Sequence, residues 1–212
     1  MRRRPAGEVG VGACVGRATV GPLAVLLHNT PGRVGVLEAM ALLVPKRRVR
    51  LVVQGPDRWN VYDPRISRWR FTGPGRSDEF RSLTQLRRTV EPVAASLAAR
   101  NATAAQRTRV AELAVDLRRL GEAGALVDVL AADIEFDHLI LEASGNDMSC
   151  ALREVITEVL SGRTHQGLMP RTPRPHALDT YEQVAHAIRD GDAATAEAGM
   201  ASLLADVSSA IN

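Results

Sequence analysis

From Asp78 onward the chain repeats apolar positions at intervals of three and four, as helices that each bury one face do. In DEFRSLTQLRRTVEPVAASLAARN the residues Phe80, Leu83, Leu86, Val90, Val93 and Leu97 keep a period near 3.6. Pro92 lies inside this run and is expected to kink it or lean on a neighbour. ATAAQRTRVAELAVDLRRLGEAG predicts a second helix, capped by Thr103 and stopped at Gly121. ALVDVLAADIEFDHLILEASGN predicts a third, ending at Gly145-Asn146, and DMSCALREVITEVLSGR a fourth. After the Pro-rich loop GLMPRTPRPH, the turn Asp190-Gly191-Asp192 joins LDTYEQVAHAIRDGD to AATAEAGMASLLADVSSAI. The reading is mainly α: an antiparallel bundle of six to seven helices over residues 79–212.

The front of the chain follows no such period. Residues 34–44 (VGVLEAMALLV) predict a short helix, and PKRRVRLVVQG alternates basic and apolar residues before a Gly, as a strand pair or wing would. Residues 34–56 are therefore expected to form a short helix followed by a strand pair or wing. Residues 57–78, with Pro64, Gly73, Pro74, Gly75 and both tryptophans, read as a linker. Residues 1–33 sustain neither a helical nor a strand period and read as an atypical, disordered segment.

Composition sharpens this picture at three points. Aromatics are only 3% against 45% hydrophobic residues, so Leu, Val and Ala must fill the core. The formal charge of +3 conceals an asymmetry: residues 1–76 hold 14 Arg and Lys against 4 Asp and Glu, and residues 77–212 hold 13 against 20. A basic front on an acidic body suits a segment that faces a polyanion. Cys14 and Cys150 fit no metal spacing and read as reduced thiols of a cytoplasmic protein. No apolar run reaches membrane-spanning length, and no membrane partner is expected.

In a bundle the informative residue is a polar one on the apolar face. Arg87 is in phase with Leu83, Val90 and Ala94. Asp133 and Asp137, one turn apart, share a face with Leu126, Leu130 and Ile140. Two readings are open: an ion pair buried between helices, or a ligand cavity in which Arg87 grasps a carboxylate or phosphate. The five histidines share no ligand spacing, and His138 and His186 fall off the apolar stripes and read as surface residues. No nucleophile elbow, phosphate loop or CxxC occurs, so no enzyme activity is expected.

DIEFDHLILEASGN resembles the effector-binding (FCD) domain of FadR-type GntR transcription regulators. LTQLRRTVEPVAASLAARNAT is similar to the first effector-domain helix of that family, with Arg87 and Glu91-Pro92 at recurrent positions. YEQVAHAIRDGDAATAEAGMASLL is similar to its C-terminal helix pair, DRWNVYDPRISRW to the linker of a sugar-acid-sensing branch, and VLEAMALLVPKRRVRLVVQ to the end of its winged helix-turn-helix. The resemblance implies an FCD-type bundle and a homodimer. It implies a small organic acid or sugar acid as effector, held by Arg87, Asp133, Asp137, Asn146 and Tyr181. It also implies operator DNA as partner, met by Lys46, Arg47, Arg48 and Arg50.

The departures from the family pattern carry expectations of their own. Many members hold a metal on one Asp and three His. Here Asp133 keeps the Asp, while Asp137, Tyr181 and Leu203 stand at the histidine positions. Carboxylates and a phenol suit zinc or nickel poorly, so no cofactor is expected; Asp133, Asp137 and water remain candidates for weak Mg²⁺ or Mn²⁺, with Tyr181 otherwise bonding the effector directly. Where the recognition helix should run, Pro31, Gly32 and Gly35 are expected to disrupt it. Two functional readings follow: a ligand-responsive regulator that binds an operator as a dimer, or an effector-binding dimerisation protein without a competent DNA reader.

Overall fold

The structure, a computed structural model, describes residues 31–46, 50–168 and 174–209. The chain divides into two compact units, the first ending at Ile66 and the second running from Ser67.

In the first unit, helix α1 (Pro31–Ala39) precedes an antiparallel pair, β1 (Leu43–Lys46) and β2 (Arg50–Val53), with Leu43 opposite Val53 and Lys46 opposite Arg50. The expected strand pair is present. The expectation that Pro31, Gly32 and Gly35 break a helix is corrected, since all three lie inside α1. Pro31 opens the helix, where its missing N–H is not needed and its fixed φ suits the first turn. The two glycines each cost about 1 kcal/mol relative to Ala, which burial of Leu37 and Met40 offsets. Residues 54–60 are also not a free linker. Gln54 N donates to Leu42 O, Asn60 N donates to Met40 O, and the buried Trp59 donates its indole N–H to Gln54 O across a 3-10 turn at Pro56–Arg58.

Helix α2 (Pro64–Phe71) lies in the middle of the expected linker. Among the described residues there follow α3 (Arg76–Asn101), α4 (Ala104–Glu122), α5 (Leu126–Ala143), the short α6 (Asp147–Cys150), α7 (Arg153–His165), α8 (Pro175–Asp190) and α9 (Ala193–Ser209). α9 packs on α3 and α8, α4 packs on α5 and α8, and α5 lies against α3 and α7. Local chemistry sets the joints. Thr103 and Gln106 cap α4 reciprocally. Gly191, at φ +78, ends α8 in the left-handed conformation that lets the chain reverse into α9. Arg107 donates to Ala99 O, Ala102 O, Ile188 O and Arg189 O, satisfying carbonyls at the ends of both α3 and α8.

The face that α3 buries differs from the expected stripe. Val93 is 51% exposed, and Leu86, Val90 and Leu97 are only half-buried. Fully buried are Leu83, Thr84, Arg87, Glu91, Ala94, Ala95, Ala98 and Ala99. The alanines let α9 approach closely, so the small face is the one that packs, while the larger Val93 is left outside. α3 runs continuously through the buried Pro92. Among the described residues no helix is long and apolar enough to cross a membrane.

Candidate functional site: a buried polar cluster

Four helices bring charged side chains together inside the second unit. α3 supplies Thr84, Arg87 and Glu91, which the spacing of three and four residues puts on one stripe. α5 supplies Asp133 and Asp137, one turn apart, and α7 and α8 add Arg163 and Tyr181. Arg87 is the hub. Its Nε donates to Glu91 Oε1 at 2.6 Å, and its Nη2 donates to Glu91 Oε2 at 3.0 Å and to Asp137 Oδ2 at 2.6 Å. Arg87, Glu91 and Asp137 are 4%, 1% and 1% exposed, so this network is held out of water, where charge pairing is strong and an unmet group costly. Tyr181 is half-buried with its hydroxyl turned inward, donating to Asp133 Oδ1 at 2.5 Å. Phe136 meets the Tyr181 ring edge-on, at 5.2 Å between centroids, and fixes its direction.

The electrostatics follow from this crowding. Burial pulls the Arg87 guanidinium down, but Glu91 and Asp137 more than offset it and hold it above its ordinary value. Burial, then the neighbouring Glu91 carboxylate, raises Asp137 well above the usual range despite Arg87. Burial, then Asp133, raises the Tyr181 phenol, so it stays a donor. Burial, then repulsion from Arg87, lowers Arg163, with Asp133 acting against both. Among the described residues, buried atoms without a hydrogen-bond partner include Thr84 Oγ1, Arg87 Nη1 and Asp137 Oδ1. Each unmet group of this kind costs about 1–3 kcal/mol. The cluster thus holds unused donor and acceptor capacity.

Of the residues expected to meet an effector, the fold gathers Arg87, Asp133, Asp137 and Tyr181. The ion pair between helices exists, and it leaves polar atoms over. Asn146 is a correction: it is exposed and its Oδ1 caps α6 by accepting from Met148 N. His138 is another, for its Nε2 lies 2.8 Å from Thr157 Oγ1 and 3.0 Å from Arg153 O, half-buried between α5 and α7. Glu91 and Arg163 went unnoticed as cluster members. Glu91 is one turn past Arg87, and Arg163 is in phase with Ile156 and Leu160, so both signals lay in the helical period. Leu203 is an ordinary core residue of α9.

The carboxylates named as candidates for a divalent metal already have protein partners. Asp137 is bound by Arg87, Asp133 by Tyr181, and two guanidinium groups already supply the local positive charge. Among the described residues no three His, Cys, Asp or Glu come together as a metal-holding group. Cys150 is half-buried, with its thiol donating to Leu141 O at 3.5 Å; Cys14 lies outside the described residues.

In the first unit, Lys46 is exposed at the end of β1 and faces Arg50 across the pair. Arg47 and Arg48 lie outside the described residues.

Comparison with known proteins agrees with the helical architecture. Residues 82–206, more than half of the chain, match the FCD domain. Among solved structures, Streptococcus agalactiae GntR superposes with a TM-score of 0.54 at 20% sequence identity, over 82% of this chain and 78% of that one. At that identity the likeness speaks for the fold. No curated protein matches the chain.

Proposed function

Since the chain belongs to the FCD domain family, we propose that it is a ligand-responsive transcriptional regulator of the GntR type, not an enzyme, whose helical unit senses a small hydroxylated carboxylate such as a sugar acid. One observation carries this reading: a buried cluster that keeps a guanidinium N–H, a carboxyl oxygen and a hydroxyl without partners. Arg87 Nη1 suits an incoming carboxylate, and Asp137 Oδ1 suits a hydroxyl, which can both donate and accept. A ligand carrying both groups answers both needs, and a simple fatty acid does not. Tyr181 and Asp133, already joined, are the next polar groups a longer polyol chain would meet. Arg163 adds a second cation near the same carboxylates. In this reading the protein acts as a cytoplasmic homodimer, and the basic pair Lys46 and Arg50, with Arg47 and Arg48 between them, meets the phosphates of an operator.

A second reading, effector sensing without sequence-specific DNA binding, is favoured by α1. Within the described residues, the helix before the wing holds Gly32 and Gly35, each of which weakens a helix relative to Ala.

The test is thermal unfolding of the full chain with aldonates, uronates, aldarates, unsubstituted monocarboxylates and inorganic phosphate. Hydroxy acids should raise the melting temperature with concentration, the stabilisation reaching about 2.7 kcal/mol at a hundred times Kd. Arg87→Lys keeps the charge but loses the planar fork and should weaken the response. Arg87→Ala is a poorer probe, since stranding Glu91 and Asp137 should cost about 3–5 kcal/mol by itself. If no hydroxy acid shifts the melting curve, the sensing role fails.

A further inference from the structure

α7 carries two stripes with different duties. Val155, Val159 and Gly162 face a small secondary core with Phe71, Phe80 and Leu83. Ile156, Leu160 and Arg163 are displaced by one residue, about 100° round the helix. Ile156 and Leu160 join the main core. Arg163 is buried within the electrostatic reach of Arg87, Asp133, Asp137 and Tyr181.

Against the first stripe lies the end of α2. Ser67 Oγ donates to Glu79 Oε1 at 2.9 Å and Arg70 Nη1 donates to Glu79 Oε2 at 2.8 Å. The Arg68 guanidinium forks onto both carboxylate oxygens of the buried Glu158 on α7, its Nε at 3.0 Å. Phe71 stacks on Phe80 at 4.3 Å between centroids. Gly162 permits this: a Cβ there would lie 3.0 Å from the Phe71 ring and 3.3 Å from Phe80.

We propose that residues 67–71 form a latch docked on α7, and that α7 couples this latch to the polar cluster, so that a ligand held in the cluster also tightens the latch. The physical reason is that Gly162 and Arg163 are consecutive residues of one rigid helix. Any movement of α7 that re-aims Arg163 also moves Gly162 against a ring with no slack. A ligand that needs Arg163 in place favours the arrangement in which the latch is seated. The regulatory direction rests on the effector reading of the cluster; the coupling itself is tested without any ligand.

The experiment is native-state hydrogen exchange of the full chain, reading the segment 64–71 with α4 as the internal control. Gly162→Ala and Arg68→Ala should each speed exchange at 67–71 by about tenfold while α4 is unchanged, the factor that a local loss of 1.4 kcal/mol produces. Unchanged exchange in both would overturn the latch. Arg163→Lys and Arg163→Met, made from the other stripe, should each change exchange at 67–71 by about threefold or more relative to α4. A latch indifferent to both Arg163 variants would overturn the coupling; if one variant speeds α4 as well, the other decides. With gluconate as probe, a raised melting temperature should come with slower exchange at 67–71. A raised melting temperature without that slowing overturns the coupling, whereas no rise at all counts against gluconate as effector and leaves the variants to decide.

Discussion

Asp137 shows how one residue can record its whole environment. Its carboxyl is buried beside Glu91 and bound by Arg87, and burial dominates, so its pKa lies well above the ordinary 3.8. The native state therefore keeps a proton that the unfolded chain has released once pH passes 3.8. Unfolding in that window releases a proton, so this contribution is fully present below the unfolded value and is lost as pH rises through the raised one. Asp63, Asp190, Asp192 and Glu182 have lowered values and the opposite sign, losing stability as pH falls. Their window lies below the ordinary carboxylate range, so the two effects separate on the pH axis. Asp137→Asn should flatten the decline of unfolding free energy as pH rises above about 4. Urea titrations at a series of pH values measure this, and equal slopes in the two proteins would refute the assignment.

At the scale of elements, the close approach of α8 and α9 turns on Gly199. A Cβ at that position would lie 2.8 Å from Val184 Cγ2, and Val184 is fully buried. Helix propensity favours Gly199→Ala by about 1 kcal/mol, while forcing a methyl into a filled core costs about 1–3 kcal/mol. Packing should win, because Val184 has nowhere to retreat. The expected outcome is a net loss of roughly 1 kcal/mol for Gly199→Ala, turning neutral or favourable when the same change is made on Val184→Ala. Denaturant unfolding of the four proteins completes that cycle, and additive effects would show that the helices simply move apart. The same scale explains the misjudged face of α3. A period near 3.6 identifies a helix but not which of its sides meets a neighbour. Four alanines on one side of α3 made that side the packing surface and left Val93 in water.

For the whole molecule the governing feature is the division of charge between a basic front and an acidic body. The strand pair places Lys46 opposite Arg50 at the end where Arg47 and Arg48 connect them. Contacts of this kind reach phosphates and carry little sequence information. If all four residues neutralise phosphates, the logarithm of the binding constant should fall with the logarithm of salt concentration at a slope of roughly −4 per chain. The expectation is weak binding to any duplex with that salt dependence, measured by fluorescence anisotropy on random and palindromic DNA. Tight binding to one palindrome, well above random DNA, would instead show that α1 and the residues before it read bases.

The helical period, the Thr103 cap and the Asp190-Gly191-Asp192 turn were legible in the sequence because each is a local property, settled within a few residues of chain. Arg87, Asp133 and Asp137 stood out for the same reason, as polar groups in phase with apolar ones. Their partners were not legible. Asp137 reaches Arg87 across 50 residues and Tyr181 reaches Asp133 across 48. Such pairings depend on how each helix is rotated about its axis when it packs, which no local pattern contains. Tertiary structure alone decided that Asn146 caps a short helix, that His138 bridges to α7, and that Gly162 makes room for Phe71. The helices follow from short-range hydrogen bonding and amphipathic spacing; the polar cluster exists only because four of them are packed at one set of rotations.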